Sequence, residues 1–261
     1  MATPIPINQC EFTLAEVVDA TGGTFVEANA TVSFGDSVQG ERPPAGNTVH
    51  SGYRSGAGSS GNIRGVSIDT RSIETGAVFV ALRGAASDGH DYLSQAAASG
   101  AVAAIVATGR HHPALHCIEV ADTLDALGRL ARHHLARIRA TRTLPLIAIG
   151  GAVGKTTTKE LTAAVVRALF GATLSTPGNL NNLIGVPMTI FTLTGEHRAA
   201  VLECGTNTRG EIPKLAQIVE PDVAMVLNVD LEHSEGLGTL DDIADEEAAL
   251  FSTATQYAVA S

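Results

Sequence analysis

The sequence predicts an α/β fold in which a small α/β domain precedes a doubly wound parallel sheet. Short apolar runs at 199–202 and 223–227 have the length and composition of buried parallel strands. A helical pattern at 212–219 lies between them. An apolar strand that begins at 147 runs through glycines into another helix start, and such alternation of strand and helix is typical of a doubly wound sheet.

The strongest functional pattern is the glycine-rich turn after that last strand. Its spacing, Gly151-x-x-Gly154-Lys155-Thr156, is a shorter form of the P-loop, because Ile149 stands at the position of the additional glycine. Glycines let backbone N–H groups point inward, and the next helix presents its positive dipole end to the same place. A purely structural turn is the alternative, but Lys155 suits the β/γ-phosphates of a nucleoside triphosphate and Thr156 suits Mg²⁺. The predicted nucleotide-binding residues of the loop are Gly151, Ala152, Val153, Gly154, Lys155, Thr156 and Thr157.

Composition narrows the class of protein. The chain has 261 residues and a net charge of −10, which argues against nucleic-acid binding because phosphate backbones require clustered Lys and Arg. Cys10, Cys117 and Cys204 are far apart, so no disulfide framework or Cys-x-x-Cys metal site is predicted. No apolar run approaches the ~20 residues of a membrane span, and the N-terminus lacks a secretory pattern. We therefore expect a cytoplasmic protein without membrane insertion.

Two domains are predicted, at 1–118 and 119–261. The first contains a mobile insert at about 35–62, where glycine, serine and proline dominate and few apolar residues offset the ordering entropy. The other predicted elements of this domain are a helix at 12–18, one or two strands within 24–32, a strand at 78–82, a helix at 92–99 and a strand at 102–107. The chain stops as another central strand begins, so we expect the second domain to be truncated at its C-terminus.

Two further polar residues are expected beside the phosphate loop. Glu203 directly follows the run at 199–202, and His233 comes a few residues after the run at 223–227. Ligands of doubly wound sheets bind beyond the carboxyl ends of the strands. Both side chains are therefore candidate Mg²⁺ partners, although imidazole is a less usual ligand for this cation. Alternatively, Glu203 caps the next turn and His233 is an ordinary loop residue.

Helical periodicity adds Glu247 as a candidate. In the predicted helix at 240–253 it shares the apolar stripe of Ile243, Leu250 and Phe251. A carboxylate on the inner face requires a metal or a lysine, because an unpaired buried charge costs several kcal/mol. The solvated face of the same helix is predicted to carry Asp241, Asp242, Asp245 and Glu246.

Two sets of residues away from the site are also assigned from their spacing. The helix after the phosphate loop is predicted to face the core with Leu161, Ala164, Val165, Ala168 and Leu169. Adjacent histidines point in different directions on a helix or strand, which favours solvated surface positions over a metal site. These histidines are His111, His112, His116, His133 and His134.

Five motifs between about Gly65 and the C-terminus match those of a known family. They are Ser67-Ile-Asp69-Thr70-Arg71 with Asp88-Gly89-His90, the loop from Gly151 to Glu160, Thr176-Pro-Gly-Asn179-Leu-Asn181-Asn182-Leu-Ile-Gly-Val-Pro187, Glu203-Cys-Gly-Thr-Asn-Thr-Arg-Gly-Glu211-Ile, and Asn228-Val-Asp-Leu-Glu-His233. Together they resemble the Mur ligases of peptidoglycan synthesis. The asparagine-rich stretch and the Gly-Thr-Asn-x-x-Gly-Glu-Ile string point to the member that joins D-Ala-D-Ala to UDP-N-acetylmuramoyl-tripeptide.

The resemblance implies roles for residues in both domains. The first domain is implied to bind the uridine nucleotide, and the implied substrate-binding residues are Asp69, Thr70, Arg71, His90, Thr176 and Asn179. For Arg71, a solvated surface arginine is the alternative. Asn181 and Asn182 are implied to line the ATP and substrate cleft. Thr156, Glu203 and His233 are the implied Mg²⁺ ligands, and the implied catalytic residues are Lys155, Glu203, His233 and Glu247.

The same resemblance implies ATP-dependent amide-bond formation. ATP phosphorylates the tripeptide carboxylate, and the amine of D-Ala-D-Ala then attacks the acyl phosphate, with Lys155 and Mg²⁺ neutralising charge in the phosphoryl step. Glu247 stands where the family usually has a lysine that becomes carbamylated and helps to hold a second Mg²⁺.

A C-terminal domain that positions the amine in the family is missing from these 261 residues, so we expect the chain alone to be inactive. Two alternatives are left open. One is a non-catalytic nucleotide-binding module that acts with a partner chain, and the other is a ligase of the same superfamily with a different amine.

Overall fold

The structure, a computed structural model, describes residues 3–28, 62–231 and 234–260. Nearly all of the predicted insert at 35–62 lies outside these ranges. Within them, no helix combines the length and the apolar character needed to cross a membrane.

The chain divides into two compact units. The smaller unit is Glu11–Ala126, and the larger unit combines Met1–Cys10 with Leu127–Ser261. The predicted domain boundary after residue 118 stays a prediction.

A five-stranded sheet forms the centre of the smaller unit. Its elements are β1 (Glu11–Thr13), α1 (Leu14–Thr21), β2 (Thr24–Val26), β3 (Asn62–Arg64), β4 (Val66–Ser67), β5 (Val78–Val80), α2 (Leu93–Ala98), β6 (Ala103–Ala107) and β7 (His116–Val120). The strand order is β2-β7-β6-β5-β4, with β4 to β7 parallel and β2 antiparallel to β7. Strands β1 and β3 form a separate antiparallel pair. The predicted small α/β unit is confirmed.

The larger unit is built on a second five-stranded sheet. The remaining elements of the chain are α3 (Thr123–Thr141), β8 (Leu146–Gly150), α4 (Lys155–Phe170), β9 (Thr173–Ser175), α5 (Gly185–Ile190), β10 (Ala199–Glu203), α6 (Glu211–Val219), β11 (Val223–Val226), α7 (Ser234–Leu237), α8 (Leu240–Ala248) and β12 (Tyr257–Ala260). The strand order is β12-β11-β8-β10-β9, and every neighbouring pair is parallel. The predicted doubly wound fold is confirmed.

Strand β8 occupies the middle of this sheet, and the chain leaves it in both directions. From β8 the chain first goes past the position of β10 to form β9, on one side of β8. From β10 it later goes past β8 to form β11, on the other side. Sheets of this kind bind ligands beyond the carboxyl ends of the strands where the direction changes. The carboxyl ends of β8, β10 and β11 therefore define the edge at which a site is expected.

The buried face of α4 differs from the predicted one. Leu161, Val165 and Leu169 are 65%, 60% and 73% exposed, and the helix instead packs Ala163 and Val166 against β8 and β10. The predicted stripe, including Ala164 and Ala168, was wrong because the helix is apolar on two faces. The strand-to-helix turn fixes which face meets the sheet, and hydrophobic periodicity does not contain that information.

His134 is an exception to the predicted surface histidines. Its side chain is buried, its ring lies 6.1 Å from that of Phe191, and burial lowers its pKa to about 4. By contrast, His111 is exposed and its Nδ1 lies 3.0 Å from Glu119 Oε1.

The acidic face predicted for α8 is correct at two positions and wrong at Glu246. Asp241 and Asp245 are exposed, but Glu246 is buried. Its two oxygens accept hydrogen bonds from the backbone N–H groups of Gly210 and Ile212, both at 2.8 Å. These N–H groups open α6, so Glu246 satisfies donors that the helix itself leaves without partners.

We expect Glu246→Gln to lower the free energy of unfolding by about 1–3 kcal/mol, because an amide cannot accept both N–H groups as a carboxylate does. Urea denaturation of the wild type and the variant measures this loss. Asp245→Asn, one residue away and exposed, is the matched control and should stay within about 0.5 kcal/mol of the wild type. Equal losses in both variants would contradict the capping role of Glu246.

Candidate nucleotide-binding site

The phosphate loop joins β8 to α4, and its conformation requires glycine at two positions. Gly151 has a φ of 114° and Gly154 a φ of 89°, values that favour glycine. A Cβ on Gly151 would also lie 2.9 Å from the backbone nitrogen of Leu227. The predicted arrangement of strand, glycines and helix is confirmed, and the amino end of the 16-residue helix α4 opens at the loop.

Asn228, two residues beyond β11, holds the outer part of the loop. Its Oδ1 accepts from the N–H of Val153 at 2.8 Å, and its Nδ2 donates to the Val153 carbonyl at 2.9 Å. Its own carbonyl accepts from the N–H of Ala152 at 3.1 Å. Asn228 stands in one of the sequence motifs, but no role was predicted for it. An asparagine just past a strand, at the edge of the sheet where ligands are expected, is the sequence signal for a role in the site.

Lys155 and Thr156 occupy the first turn of α4. Lys155 Nζ donates to the carbonyls of Gly151 and Ala152, which keeps the ammonium group over the loop. Thr156 Oγ1 donates to Glu203 Oε2 at 3.1 Å. The structure thus brings together three of the predicted site residues at the carboxyl ends of two neighbouring strands.

Glu203 is the last residue of β10, and its side chain is only 2% exposed. In the parallel register it lies beside Ile149 of β8. Besides its contact with Thr156, Glu203 Oε1 accepts from Asn181 Nδ2 at 2.9 Å. Its backbone N–H donates to Thr176 Oγ1 at 2.8 Å. Two hydrogen bonds therefore hold the carboxylate, and a third holds the backbone of the same residue.

The Thr156 hydroxyl and the Glu203 carboxylate fit a Mg²⁺ ion in chemistry and separation. Both supply hard oxygen donors, the type that Mg²⁺ selects. The two oxygens are 3.1 Å apart, close to the ~3.0 Å between adjacent ligands of an octahedral ion with ~2.1 Å bonds. The third predicted ligand, His233, lies outside the described residues. Across 3–28, 62–231 and 234–260, no cluster of three His, Cys, Asp or Glu side chains is arranged as a metal site.

Glu247 reaches the inner side of the phosphate loop from α8. Its side chain is 3% exposed, and its Oε2 accepts from the N–H of Gly151 at 2.8 Å. A Cβ on Gly150 would lie 2.7 Å from the same oxygen. Burial raises the pKa of the Cys204 thiol, and the carboxylates of Glu247 and Glu203 raise it further. Both glutamates thus act electrostatically on one buried position beside the loop.

The other residues assigned to the cleft differ in what they contact. Asn182 Oδ1 accepts from the N–H groups of Ile184 and Gly185, so it caps α5. Asn179 Oδ1 accepts from Thr3 Oγ1 at 2.8 Å. Thr176 is buried, at 1% exposure. Of the two adjacent asparagines, Asn181 is the one that contacts the Glu203 carboxylate.

The predicted uridine-nucleotide residues lie in the smaller unit, where the parallel strands end. Asp69, two residues beyond β4, accepts from the Arg71 backbone N–H and forms a two-pronged ion pair with its guanidinium. This contact with Arg71 lowers the pKa of Asp69. The Arg71 side chain is 84% exposed, whereas Thr70 between them is half-buried.

His90 is buried in the same unit, and both of its ring nitrogens are engaged. Nδ1 lies 2.5 Å from Asp88 Oδ1, and Nε2 accepts from the N–H of Ala107 at the end of β6 at 2.9 Å. The hydrogen bonds from His90 lower the pKa of Asp88 to about 2. A direct contact between His90 and a substrate stays a prediction.

Comparison with known proteins supports a family assignment. The model described as "Mur ligase middle domain" matches residues 149–261, and the model described as "Mur ligase family, catalytic domain" matches residues 62–135. The UDP-N-acetylmuramoyl-tripeptide--D-alanyl-D-alanine ligases of Treponema pallidum and Escherichia coli are 38% identical over 205 residues and 40% identical over 195 residues. Each match covers 75% of this chain, and 44% and 42% of those ligases.

Solved structures agree with these matches. MurF from Acinetobacter baumannii has a TM-score of 0.77 at 30% identity, over 97% of this chain and 49% of that protein. MurF ligase from Thermotoga maritima in complex with ADP has a TM-score of 0.66 at 30% identity, over 75% of this chain and 44% of that protein. The chain thus spans less than half the length of these relatives, and over that span it belongs to the Mur ligase family.

Proposed function

We propose that this chain is part of an ATP-dependent ligase that joins D-Ala-D-Ala to UDP-N-acetylmuramoyl-tripeptide in peptidoglycan precursor synthesis. The observation that carries the proposal is the meeting of Thr156 with Glu203 at the mouth of the phosphate loop. The proposed substrates are those in the names of the similar ligases from Treponema pallidum and Escherichia coli. The ADP complex of the Thermotoga maritima relative supports a nucleotide at the loop.

The phosphates of ATP are proposed to bind at the loop and the first turn of α4, because backbone N–H groups and the helix dipole favour an anion there. Lys155 extends its ammonium from the loop carbonyls toward the β/γ-phosphates. Thr156 and Glu203, together with His233, are proposed to hold Mg²⁺. When bound, Mg²⁺ neutralises charge on the transferring phosphoryl group.

The reaction is proposed to pass through an acyl phosphate. A carboxylate oxygen of the tripeptide bonds to the γ-phosphorus as ADP leaves. The amine of D-Ala-D-Ala then bonds to the acyl carbon as phosphate leaves, and the nitrogen gives up one proton to the departing phosphate or to water. Lys155 stabilises charge in the first step, and Asn181 keeps the Glu203 carboxylate oriented. Catalysis by these residues is therefore a matter of positioning and electrostatics.

The smaller unit is proposed to bind the uridine nucleotide through Asp69, Thr70, Arg71 and His90. Arg71 is exposed and held by Asp69, so its guanidinium is pre-oriented at the strand ends. His90 is buried at the same edge of the sheet, where it contacts Asp88 and the N–H at the end of β6. Thr176, Asn179 and Asn182 are proposed to shape the substrate side of the larger unit.

A cytoplasmic location is proposed, because ATP and a UDP-linked substrate are required. The three cysteines, Cys10, Cys117 and Cys204, are buried and form no disulfide, which agrees with a reducing compartment. The competing proposal is a non-catalytic nucleotide-binding module that acts with a partner chain. It is favoured by Glu247, which stands in place of the family's lysine.

Lys155→Ala is expected to weaken binding of ATP with Mg²⁺ by about 10- to 100-fold, because a charge-assisted hydrogen bond contributes ~1.5–3 kcal/mol. Isothermal titration calorimetry of residues 1–261 measures the dissociation constants. Lys214→Ala removes the same charge from an exposed position on α6 and serves as control. Equal affinities for the wild type and Lys155→Ala would remove the phosphate-loop proposal.

Glu247 is proposed to add negative charge to the metal site in place of the carbamylated lysine. Glu247→Gln keeps an acceptor for the Gly151 N–H but removes the charge. We expect the Mg²⁺ concentration that half-maximally tightens ADP binding to rise about fivefold or more, while ADP binding without Mg²⁺ is not weakened. Glu246→Gln, on the same helix but directed to α6, is the control. An unchanged Mg²⁺ dependence in Glu247→Gln would limit this residue to supporting the loop.

Ligase activity is expected to need sequence that these 261 residues do not contain, because the matches cover only 44% and 42% of the two relatives. Loss of a domain that positions the amine can raise the barrier by ~7–11 kcal/mol. The assay supplies UDP-linked tripeptide, D-Ala-D-Ala, ATP and Mg²⁺, and follows phosphate and pentapeptide. Turnover by residues 1–261 that is unchanged by adding the C-terminal region of a relative in trans would refute this expectation.

A further inference from the structure

Lys159 is the feature of the larger unit that the proposed mechanism does not use. Its side chain has no exposed surface, although lysine is almost never fully buried unless it is paired. It lies one helical turn after Lys155, so the two side chains share a face of α4. Lys155 reaches the loop, whereas Lys159 points into the interior behind it.

The contacts of Lys159 run between α4 and the end of strand β9. Its Nζ donates to the Thr176 carbonyl at 2.8 Å and lies 2.7 Å from Glu160 Oε1. Thr176 follows β9 directly and is itself buried. Lys159 therefore ties the first turns of the phosphate-loop helix to the edge strand of the sheet.

Thr176 passes this contact on to Glu203. Its Oγ1 accepts from the Glu203 N–H at 2.8 Å, and its own N–H donates to the Val201 carbonyl at 3.3 Å. The Glu203 side chain then meets Thr156 at 3.1 Å. The sequence of contacts starts on α4 at Lys159 and returns to α4 at Thr156, so it closes a ring through both strands.

We propose that Lys159 is a positioning residue for the nucleotide site: through Thr176 it fixes the end of β10 so that the Glu203 carboxylate faces Thr156. This inference rests on the proposed binding of nucleotide and Mg²⁺ at these two side chains. Lys159 touches neither ligand. Its effect is on how strongly Mg²⁺ and nucleotide bind together, because that coupling depends on the separation of the Thr156 and Glu203 oxygens.

A lysine suits this position better than an apolar residue of equal size. The buried Thr176 carbonyl accepts from the ammonium, and an apolar side chain would leave that contact unmade. The carboxylate of Glu160, 65% exposed, balances the buried charge at the protein surface. Lys159 thus provides the hydrogen-bond donor for this ring of contacts, and Glu160 provides the counter-charge.

The test measures ADP binding to residues 1–261 by calorimetry over a series of Mg²⁺ concentrations. In Lys159→Met, the Mg²⁺-induced tightening of ADP binding should fall about tenfold. Thr176→Val, which removes the hydroxyl that accepts from Glu203, should reproduce this loss, and Thr176→Ser should restore it. Lys214→Met is the exposed control. If far-UV circular dichroism shows that Lys159→Met does not fold, Thr176→Val carries the test with the same expectation.

The double variant Lys159→Met/Thr176→Val separates the proposed route from two independent effects. If Lys159 acts through Thr176, the double variant loses no more coupling than the more affected single variant. Additive losses, or a coupling within twofold of the wild type in Lys159→Met, would overturn the inference while leaving nucleotide binding intact. Failure of the wild type to bind ADP with Mg²⁺ would overturn the proposed function and this inference together.

Discussion

The larger unit depends on how the backbone of its phosphate loop is held, because the loop has no regular secondary structure to satisfy its N–H groups. A backbone donor that loses its partner on burial costs about as much as a lost hydrogen bond. Here Gly151 donates to Glu247, 96 residues away, and Val153 donates to Asn228, 75 residues away. The loop therefore acquires its shape only when β8, β11 and α8 have assembled, and the site cannot form as a local motif.

The same requirement explains why an acidic chain buries three glutamates among the described residues of this unit. Glu203, Glu246 and Glu247 are each at most 7% exposed, and each accepts from backbone or side-chain donors of another element. Burial of a carboxylate is tolerated when its oxygens are occupied in this way. Glu246 fixes the start of α6, and the other two carboxylates flank the phosphate loop. Glutamate thus performs a structural task at α6 and supplies charge to the proposed cation site beside the loop.

The sequence predicted those features whose geometry follows from a local pattern of residues. It did not predict features whose geometry depends on a partner far away in the chain. Glycines, Lys155 and Thr156 in order after an apolar strand predicted the loop, and strand ends predicted that Glu203 would lie beside it. The outward face of α4 could not be predicted, because Leu161 and Val166 are equally apolar and only the turn geometry chooses between them. The burial of Glu246 was likewise hidden, since its partners are backbone N–H groups, which every residue except proline possesses.

The side chain of Glu247 is shorter than a carbamylated lysine, and this difference in length changes what a residue at this position can contact. A lysine that carries a carbamate extends further from α8 than a glutamate does, so its oxygens can move toward a metal. The Glu247 oxygen instead ends at the Gly151 N–H, and Gly150 is close enough that even a Cβ there would lie 2.7 Å from it. A longer side chain along this path would displace the loop. The glutamate therefore has less reach but a fixed position, and we propose that it acts on a bound cation through its charge, across the loop that it supports.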